Sequence, residues 1–208
     1  CKQRSIAVSE NRVFNALYRP FTKQLAYFQA DLNDMTYRLP SMFPSTIHSN
    51  IGFYIPAASS ASREFNAMAT SLLPDLSLSG SGSGQFLPRF AWEPIDSNDG
   101  GLFTEGNTSS SEQEFSVYGK VGEELDGYRR VDNITEEIKK LYRDTLGSDI
   151  SGDDIFHFVY GKLHDPEYRT KYAADLKKML PHIETPTTRA EFDKFAVAGK
   201  ELMDLHIN

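Results

Sequence analysis

The sequence predicts an α+β fold, with a β-rich N-terminal part packed with a C-terminal helical subdomain of about four helices. Before residue 95, apolar and polar side chains often alternate at period two, as in half-buried strands. After residue 132, capping residues precede apolar stripes at helical spacing. A hydrophobic content of 39% is enough to form a core. The predicted parts are therefore a β-rich part at 1–95, a loop and hairpin connection at 96–131, and the helical subdomain at 132–208.

The N-terminal part opens with a run of predicted strands. Residues 13–18 carry β-forming side chains and end before Pro20. Residues 21–28 follow, with Lys23, Leu25 and Tyr27 on one face. Residues 31–34 have a turn composition, and the alternation after them, at 35–39, predicts a hairpin partner.

Weaker patterns follow before the helical part. Residues 51–55 predict a short apolar strand, and residues 60–73 have a weak helical periodicity. The Ser-Gly repeat at 79–84 is typical of a flexible loop. Residues 86–92 are apolar again, and residues 115–131 predict a short hairpin.

Four helices are predicted from their start and stop signals. Asn133 with Glu136 predicts the first start and Gly147 its end, and a second helix covers residues 154–164. The third opens with Asp165 as N-cap and Pro166 at the first helical position. Its expected apolar stripe is Tyr168, Tyr172, Leu176 and Leu180. The fourth begins at Thr188 with Glu191, and its expected buried face is Phe192, Phe195, Ala196, Gly199 and Leu202.

Composition limits the compartment and the partners. One cysteine, Cys1, excludes an intramolecular disulfide, and neither a signal peptide nor a membrane-spanning run is visible. These features predict a cytoplasmic protein. The net charge is −7, whereas a free-standing DNA-binding domain is usually basic. Any contact with DNA must therefore use a local patch.

The chain has no recognisable catalytic motif, so its status as an enzyme stays open. It lacks a phosphate-binding loop, a Gly-x-Gly cofactor loop after a strand, a Gly-x-Ser-x-Gly elbow and the Asn-Pro-Pro-aromatic tetrapeptide of amino-methyltransferases. His157 and His164 share a helix face but lack a third zinc ligand, which favours packed or solvated histidines. Asp153 and Asp154 precede a helix, which favours capping over metal binding.

A basic and aromatic set is the candidate DNA-binding group. Arg and Lys contact phosphates, and Arg also pairs with guanine in the major groove. The set comprises Tyr18, Arg19, Lys23, Tyr37 and Arg38, with Arg63, Arg89, Arg129 and Arg130 added from side-chain chemistry alone. The alternative places Tyr18, Phe21 and Tyr27 in the core and Arg19 and Lys23 on a solvated or salt-bridged face. Arg129-Arg130 and Lys139-Lys140 are likewise typical of solvated positions near a helix entry.

Three groups of segments resemble a known family. The first is Tyr-Arg-Pro-Phe-Thr-Lys-Gln at 18–24 with residues 27–28 and 39–44, and the second is residues 73–76 with 85–88. The third is residues 154–169, continuing through 171–173, 176–177, 180–181 and 201–206. In this order they resemble the C-terminal part of Type ISP restriction–modification enzymes, over about residues 10–208. One departure is Gln85-Phe86, where family members often have Gln-Cys, and we expect a core substitution there.

The resemblance implies a function. Type ISP enzymes join a nuclease, a helicase-like motor, an N6-adenine methyltransferase and a target-recognition domain in one chain. The resemblance implies that this chain recognises double-stranded DNA for the methyltransferase and endonuclease, with the β-rich half and its loops facing DNA. It implies no cofactor in this chain; S-adenosylmethionine, ATP and magnesium belong to the parent enzyme, and the methyltransferase domain is the neighbour in the same polypeptide.

Two other functions remain open. The chain could be an interdomain docking module that contacts the methyltransferase or motor and not DNA bases, which the charge of −7 and the aromatic content favour. A basic patch clustered on one face would argue against docking. A free-standing enzyme is the third alternative, and the absent motifs argue against it.

Overall fold

The computed structural model describes residues 8–57, 65–78, 84–95 and 115–208, which form an α+β fold. Three sheets of the described residues have three strands each, and a fourth has two. The predicted fold class is confirmed. No helix in these ranges is long and apolar enough to cross a membrane.

Short strands precede the longer helices along the chain. The strands are β1 (Val13–Arg19), β2 (Thr22–Tyr27), β3 (Gly52–Pro56), β4 (Met68–Thr70), β5 (Leu73–Pro74), β6 (Gly84–Pro88), β7 (Phe90–Pro94), β8 (Phe115–Ser116), β9 (Gly119–Lys120), β10 (Glu124–Leu125) and β11 (Tyr128–Asp132). The helices are α1 (Leu39–Met42), α2 (Glu136–Leu146), α3 (Gly152–Leu163), α4 (Pro166–Lys171) and α5 (Arg189–Ile207). A 3-10 turn at Glu10–Arg12 precedes β1.

The first sheet is built around a β-hairpin. Strands β1 and β2 pair antiparallel, with Arg19 opposite Thr22 across a two-residue turn. Strand β5 joins the other side of β1 in parallel, so β2 is an edge strand of this sheet. Phe14 and Ala16 are buried while Val13 and Asn15 are exposed, and Leu17 is buried as well.

The predicted hairpin partner at 35–39 is wrong. Residues 29–38 form a loop, and the chain then enters α1 at Leu39. Met35 and Tyr37 have φ angles of 52° and 47°, which no strand accommodates. Strand β2 pairs with β1 instead, and within the loop Asn33 accepts a hydrogen bond of 2.7 Å from the backbone N–H of Gln29.

The weak helical prediction at 60–73 is wrong for the part that the structure describes. Residues 68–70 form β4, which pairs antiparallel with β3, and β6 pairs with the opposite side of β3. The backbone N–H of Ala69 donates a hydrogen bond of 2.9 Å to the hydroxyl of Tyr160 in α3. This long-range contact stabilises a strand where the local sequence favoured a helix. Residues 60–64 lie outside the described residues, as do 79–83 of the Ser-Gly repeat and 96–114 of the predicted connection.

The region after residue 115 contains two hairpins where one was predicted. Strands β8 and β9 form the first, and β10 and β11 form the second. Strand β11 also pairs antiparallel with β7 over five residues, which completes the third sheet. The hairpin prediction is thus confirmed and extended.

The starts of α4 and α5 follow the predicted capping chemistry, whereas α2 and α3 have other caps. Thr135, and not Asn133, caps α2, which ends before Gly147 as predicted. Ser151 caps α3 in a capping box with Asp154, and Asp165 with Pro166 starts α4 as predicted. The hydroxyl of Thr188 accepts a hydrogen bond from the N–H of Glu191 at the start of α5.

The third helix is shorter than its apolar stripe suggested. Helix α4 ends at Lys171, and residues 172–179 continue as turns. The hydroxyl of Tyr168 donates a hydrogen bond of 3.0 Å to the backbone oxygen of His182, which fixes the chain beyond those turns. Leu176 is buried, but Leu180 is half exposed, so the predicted stripe holds only in part.

The helical subdomain packs directly on the second sheet. The ring of Phe53 in β3 lies 5.2 Å from that of Phe156 in α3, and Phe158 stacks on Phe192 of α5 at 5.2 Å. Helices α3 and α5 cross closely at Gly199, which has no side chain. A Cβ at this position would lie 2.0 Å from the backbone oxygen of His157. The core thus joins both predicted halves, which gives the β-rich half a rigid support.

Candidate nucleic-acid interface

Burial divides the predicted DNA-binding residues into two groups. The side chains of Arg89 and Arg130 are buried, with relative exposures of 0% and 4%. Those of Arg19, Lys23, Tyr37, Arg38 and Arg129 are exposed or partly exposed. Arg63 lies outside the described residues. Only the second group can reach a duplex from the folded state.

Arg89 belongs to a buried ion-pair network. Its guanidinium bonds to Asp132 at the end of β11, and its Nε lies 2.9 Å from Oδ1 of Asp153 in α3. Nζ of Lys139 in α2 lies 2.8 Å from Oδ2 of Asp132. Lys139 is therefore buried, contrary to the prediction of a solvated position. Paired charges of this kind tie sheet and helices together, so we assign Arg89 a structural role.

Besides pairing with Arg89, Asp153 accepts hydrogen bonds from the β8–β9 hairpin. Its carboxylate accepts hydrogen bonds from the hydroxyl of Ser116 at 2.7 and 2.9 Å and from the backbone N–H of Val117 at 2.8 Å. Asp154, next in sequence, accepts a bond from the N–H of Ser151 at 3.0 Å. Asp154 thus caps α3 as predicted, and Asp153 connects α3 to the β8–β9 hairpin.

Arg130 lies between aromatic rings. Its guanidinium carbon lies 4.6 Å from the ring centre of Trp92, and its Nη1 lies 3.1 Å from a carboxylate oxygen of Glu123. Burial lowers the pKa of this guanidinium from its ordinary value, and Glu123 partly opposes that effect. Arg130 therefore holds the third sheet together and does not face a ligand.

His157 in α3 and His164 at its C-cap are packed among polar partners. Nε2 of His157 lies 2.7 Å from the hydroxyl of Tyr118, and burial lowers the pKa of His157. The same burial raises the pKa of Tyr118. Nδ1 of His164 lies 3.1 Å from Nη2 of Arg169. No group of three or more His, Cys, Asp or Glu side chains within the described ranges is placed to hold a metal ion.

Apart from Arg129, the remaining candidates lie at the end of β1, on the β1–β2 turn, on β2 and on the loop at 29–38. We call this set the hairpin surface. Large apolar and cationic side chains alternate there with little cover from the rest of the chain. Its members are Tyr18, Arg19, Phe21, Lys23, Leu25, Met35, Tyr37 and Arg38.

The base of the hairpin orients Arg19. The pairing of β1 with β2 shifts register between Leu17 and Arg19, which leaves Tyr18 as a bulge. The Arg19 guanidinium carbon lies 4.2 Å from the ring centre of Tyr18, and its Nη1 donates to the Ser77 backbone oxygen at 3.2 Å. The carboxylate of Asp75 lies 3.9 Å away, with both side chains more than a third exposed. Such a pair contributes little free energy and leaves Arg19 available to a polyanion.

Lys23 and Arg38 differ from Arg19 in having no acidic partner. Within the part of the chain that the structure describes, neither side chain forms an ion pair or hydrogen bond. Lys23 lies on the edge strand β2, opposite Leu17 of β1. Arg38 comes immediately before α1, next to Tyr37, whose ring is 72% exposed. Among the residues that the structure describes, no acidic side chain compensates these two charges of the hairpin surface.

Two clefts border the loop that carries Tyr37 and Arg38. One of 250 Å³ lies between the hairpin and the loop and includes Tyr18 and Met35 in its wall. The other, of 540 Å³, contacts Tyr37 and Arg38 on one side and Phe86 on the other. Phe86 is buried with its ring 5.6 Å from that of Phe43, so the expected core substitution at this position is confirmed.

Arg129 lies on a different sheet. It stands in β11, where its Nη2 is 2.8 Å from Oε1 of the exposed Glu124. This neighbour on the β10–β11 hairpin compensates its charge. Arg19 and Lys23 therefore lie on the β1–β2 hairpin and Tyr37 and Arg38 on the loop that follows it, whereas Arg129 lies apart from both.

Sequence reasoning missed the apolar members of the hairpin surface. The alternative of a core role for Tyr18 and Phe21 does not hold, because their relative exposures are 40% and 73%. Leu25 and Met35 were not singled out, and both are exposed. The available signal was Pro20-Phe21, a dipeptide that turns the chain between two strands with no polar turn residue.

Fold and surface together define a class of protein: an α+β recognition module that presents basic and aromatic side chains from a hairpin on a helix-supported base. The particular family follows from comparison with known proteins. A family model described as the Type ISP C-terminal specificity domain matches residues 1–208. The chain belongs to this family, and the resemblance found in the sequence is confirmed.

Solved structures with similar folds include enzymes bound to DNA. The DrdV–DNA complex has 32% identity and a TM-score of 0.73, covering 98% of this chain and 16% of that one. The ATP-dependent Type ISP restriction-modification enzyme LlaBIII bound to DNA has 25% identity and a TM-score of 0.74, covering 99% and 11%. A nuclease-deletion mutant of the Type ISP enzyme LlaGI in complex with a DNA substrate mimic has 28% identity and a TM-score of 0.66, covering 100% and 15%.

The chain spans only 11 to 16% of the length of these solved proteins. A search of curated proteins gave no significant match.

Proposed function

We propose that this chain is the target-recognition module of a restriction–modification enzyme and that it recognises a specific sequence in double-stranded DNA. The observation that carries the proposal is the cation group of the hairpin surface. Lys23 and Arg38 have no ion-pair partner among the described residues, in a family whose solved neighbours are DNA complexes.

The hairpin surface explains how an acidic chain can bind a polyanion. The net charge is −7, so the chain as a whole repels DNA. Arg89, Arg130 and Lys139 add nothing to binding, because each is buried and paired with a carboxylate. Lys23 and Arg38, which have no acidic partner among the described residues, attract DNA only locally. Salt screens their charges beyond a Debye length of roughly 8–10 Å.

The side chains of this surface suit different contacts. The guanidinium groups of Arg19 and Arg38 match the paired acceptors of guanine in the major groove. Lys23, a point charge on an edge strand, suits a phosphate. Tyr37 offers an exposed ring to a base face or sugar.

In the proposed parent enzyme, this module directs an N6-adenine methyltransferase and an endonuclease to one DNA site. A methyltransferase must extrude its adenine from the duplex, and a neighbouring domain that reads bases selects which adenine that is. S-adenosylmethionine, ATP and magnesium serve the other domains of that polypeptide, and the methyltransferase domain is the partner of this chain. The proposed compartment is the bacterial cytoplasm.

Selection from random duplexes tests the proposal. The 208-residue chain is incubated with the pool at low salt and again at about 150 mM salt, and the retained duplexes are sequenced. We expect one short motif to be enriched and to persist at the higher salt, since non-specific phosphate binding falls steeply with salt. Enrichment that disappears at the higher salt contradicts sequence recognition.

Single substitutions then assign the contacts. Lys23→Ala is expected to weaken binding to all sequences and to lower the salt slope by about one. Arg38→Ala is expected to cost about 1–3 kcal/mol and to relax the preference at one base position if it reads a base. Lys140→Ala is the matched control, because Lys140 is an exposed lysine on α2. Equal effects of Lys23→Ala and Lys140→Ala would remove the hairpin surface from the proposal.

One observation favours docking as a second function. Ile138 and Leu141 of α2 and Val197 of α5 are exposed apolar side chains, which suit contact with the methyltransferase or motor. The parent enzyme distinguishes the two functions. If docking is the function, Lys23→Ala and Arg38→Ala leave site-specific methylation unchanged, whereas recognition predicts that both lower it.

A further inference from the structure

The tip of the β1–β2 hairpin carries a phenylalanine in an unusual backbone conformation. Phe21 is the second residue of the Pro20–Phe21 turn and has a φ of 64°. Glycine or asparagine is usual at a turn position with positive φ, because a Cβ there crowds the backbone. For a bulky side chain, this conformation is a genuine outlier.

Nothing in the described part of the chain compensates for this conformation. The ring of Phe21 is 73% exposed, so burial within the fold does not stabilise it. The other non-glycine residues with positive φ in the described ranges are Met35, Tyr37 and Asp126. Met35 and Tyr37 also belong to the hairpin surface and are also exposed. Strained backbone of this kind clusters at sites that contact another molecule, and here it coincides with exposed side chains.

The hairpin anchors the strand that leads to this ring and places cations on either side of it. Leu17 of β1 is buried in contact with the core, which anchors the strand leading to the turn. Arg19 precedes the turn and Lys23 follows it, with the paired residues Arg19 and Thr22 closing it. An aromatic tip flanked by two cations matches a duplex, in which phosphates lie on either side of stacked bases.

We infer that Phe21 is a wedge that inserts between adjacent base pairs and kinks the DNA. This inference rests on the proposed function, and it adds deformation of the duplex to the contacts made by the cations. Apolar side chains inserted between base steps unstack them and bend the helix, and sequence-dependent flexibility at that step adds specificity without a base contact.

Fluorescence of 2-aminopurine tests the wedge. The base analogue is placed in turn at each position of the selected duplex, and the 208-residue chain is added. We expect a several-fold rise at one step, because the analogue brightens when it loses a stacked neighbour. Phe21→Ala should abolish this rise and weaken binding roughly ten-fold, since stacking on one base contributes about 1–3 kcal/mol.

Two variants exclude a folding defect. Phe21→Gly relieves the backbone strain, so its urea midpoint should be higher than that of the parent chain while the fluorescence rise is lost. Phe21→Leu keeps an apolar wedge and should retain part of the rise. Val117→Ala is the matched control, because Val117 is also an exposed apolar residue in a hairpin turn and should leave the signal unchanged.

The outcomes separate the wedge from the proposed function. Binding of one motif by the parent chain with no fluorescence change at any step overturns the wedge and leaves recognition intact. If Phe21→Gly gives the same rise in 2-aminopurine fluorescence as the parent chain, the wedge is also overturned. Absence of any duplex binding by the parent chain, at low or higher salt, overturns both.

Discussion

Arg89 and Lys139 lie in the interior of the fold, whereas Lys23 and Arg38 lie on the hairpin surface, although all four are basic residues. The first two are almost fully buried against carboxylates of β11 and α3. The other two are exposed and have no acidic partner among the described residues. Residue type thus says little about the role of a basic side chain in this protein.

The difference teaches where stability and recognition lie. A buried charge costs several kcal/mol of desolvation, which only a well-placed partner offsets, so removing either partner destabilises the fold. An exposed lysine without a partner contributes almost nothing to folding and stays available for a polyanion. Stability and DNA binding should therefore respond to different substitutions.

The largest effect is expected from Arg89→Met. The change leaves Asp132 and Asp153 without the guanidinium that compensates them, and we expect the free energy of unfolding to fall by about 3–5 kcal/mol. Urea denaturation measures this loss. The control is Arg129→Met, which breaks only the exposed pair with Glu124 and should cost no more than about 1 kcal/mol. Equal stability of the two variants would show that the buried network is dispensable.

A smaller loss is expected from Gly199→Ala in the helical support. The added Cβ would lie 2.0 Å from the backbone oxygen of His157, so α3 and α5 must separate. Overpacking of this kind typically costs about 1–3 kcal/mol. Thermal or urea unfolding measures it, with the exposed Val197→Ala as a nearly neutral control. A more stable Gly199→Ala chain would contradict the close helix crossing.

Acid should gradually destabilise the helical subdomain that supports the sheets. Burial first, and then the charges of Arg169 and His206, lower the pKa of His164 from 6.5 to about 4. As the pH falls, the unfolded chain binds this proton before the folded chain does. The contribution of neutral His164 to stability is therefore fully present above about pH 6.5 and declines as the pH falls toward 4. Urea midpoints across this range measure the decline. His164→Gln should weaken this pH dependence of the urea midpoint, whereas His182→Gln, at an exposed position, should not. The same pH dependence in both variants would contradict the assignment of the decline to His164.

The smallest effect on folding is expected from Lys23→Ala and Arg38→Ala. Both side chains are exposed, so each variant should unfold within about 0.5 kcal/mol of the parent chain. Their DNA affinity should fall as described above. A large loss of stability in either variant would mean that the hairpin surface is part of the folding core, and the contrast between the two regions would fail.

Local chemistry accounts for the parts of the fold that the sequence predicted well. The starts of α4 and α5 and the end of α2 follow from Asp165, Thr188 and Gly147, whose effects reach only one helical turn. Strand β1 follows from its β-forming side chains and from Pro20, which ends the run. Lys23 and Arg38 were likewise identified from residue type, although Arg89 and Arg130 could not be separated from them.

By itself the sequence determined the fold class, the starts of α4 and α5, the end of α2 and the family, because capping, periodicity and motif order are properties of neighbouring residues. Only the tertiary structure decided that β4 replaces a helix, that 35–39 is a loop, and which cations are exposed. Each of these depends on contacts between distant segments, such as Arg89 with Asp153 or Ala69 with Tyr160. Burial and pairing arise from the whole fold, and they override local preference wherever the two disagree.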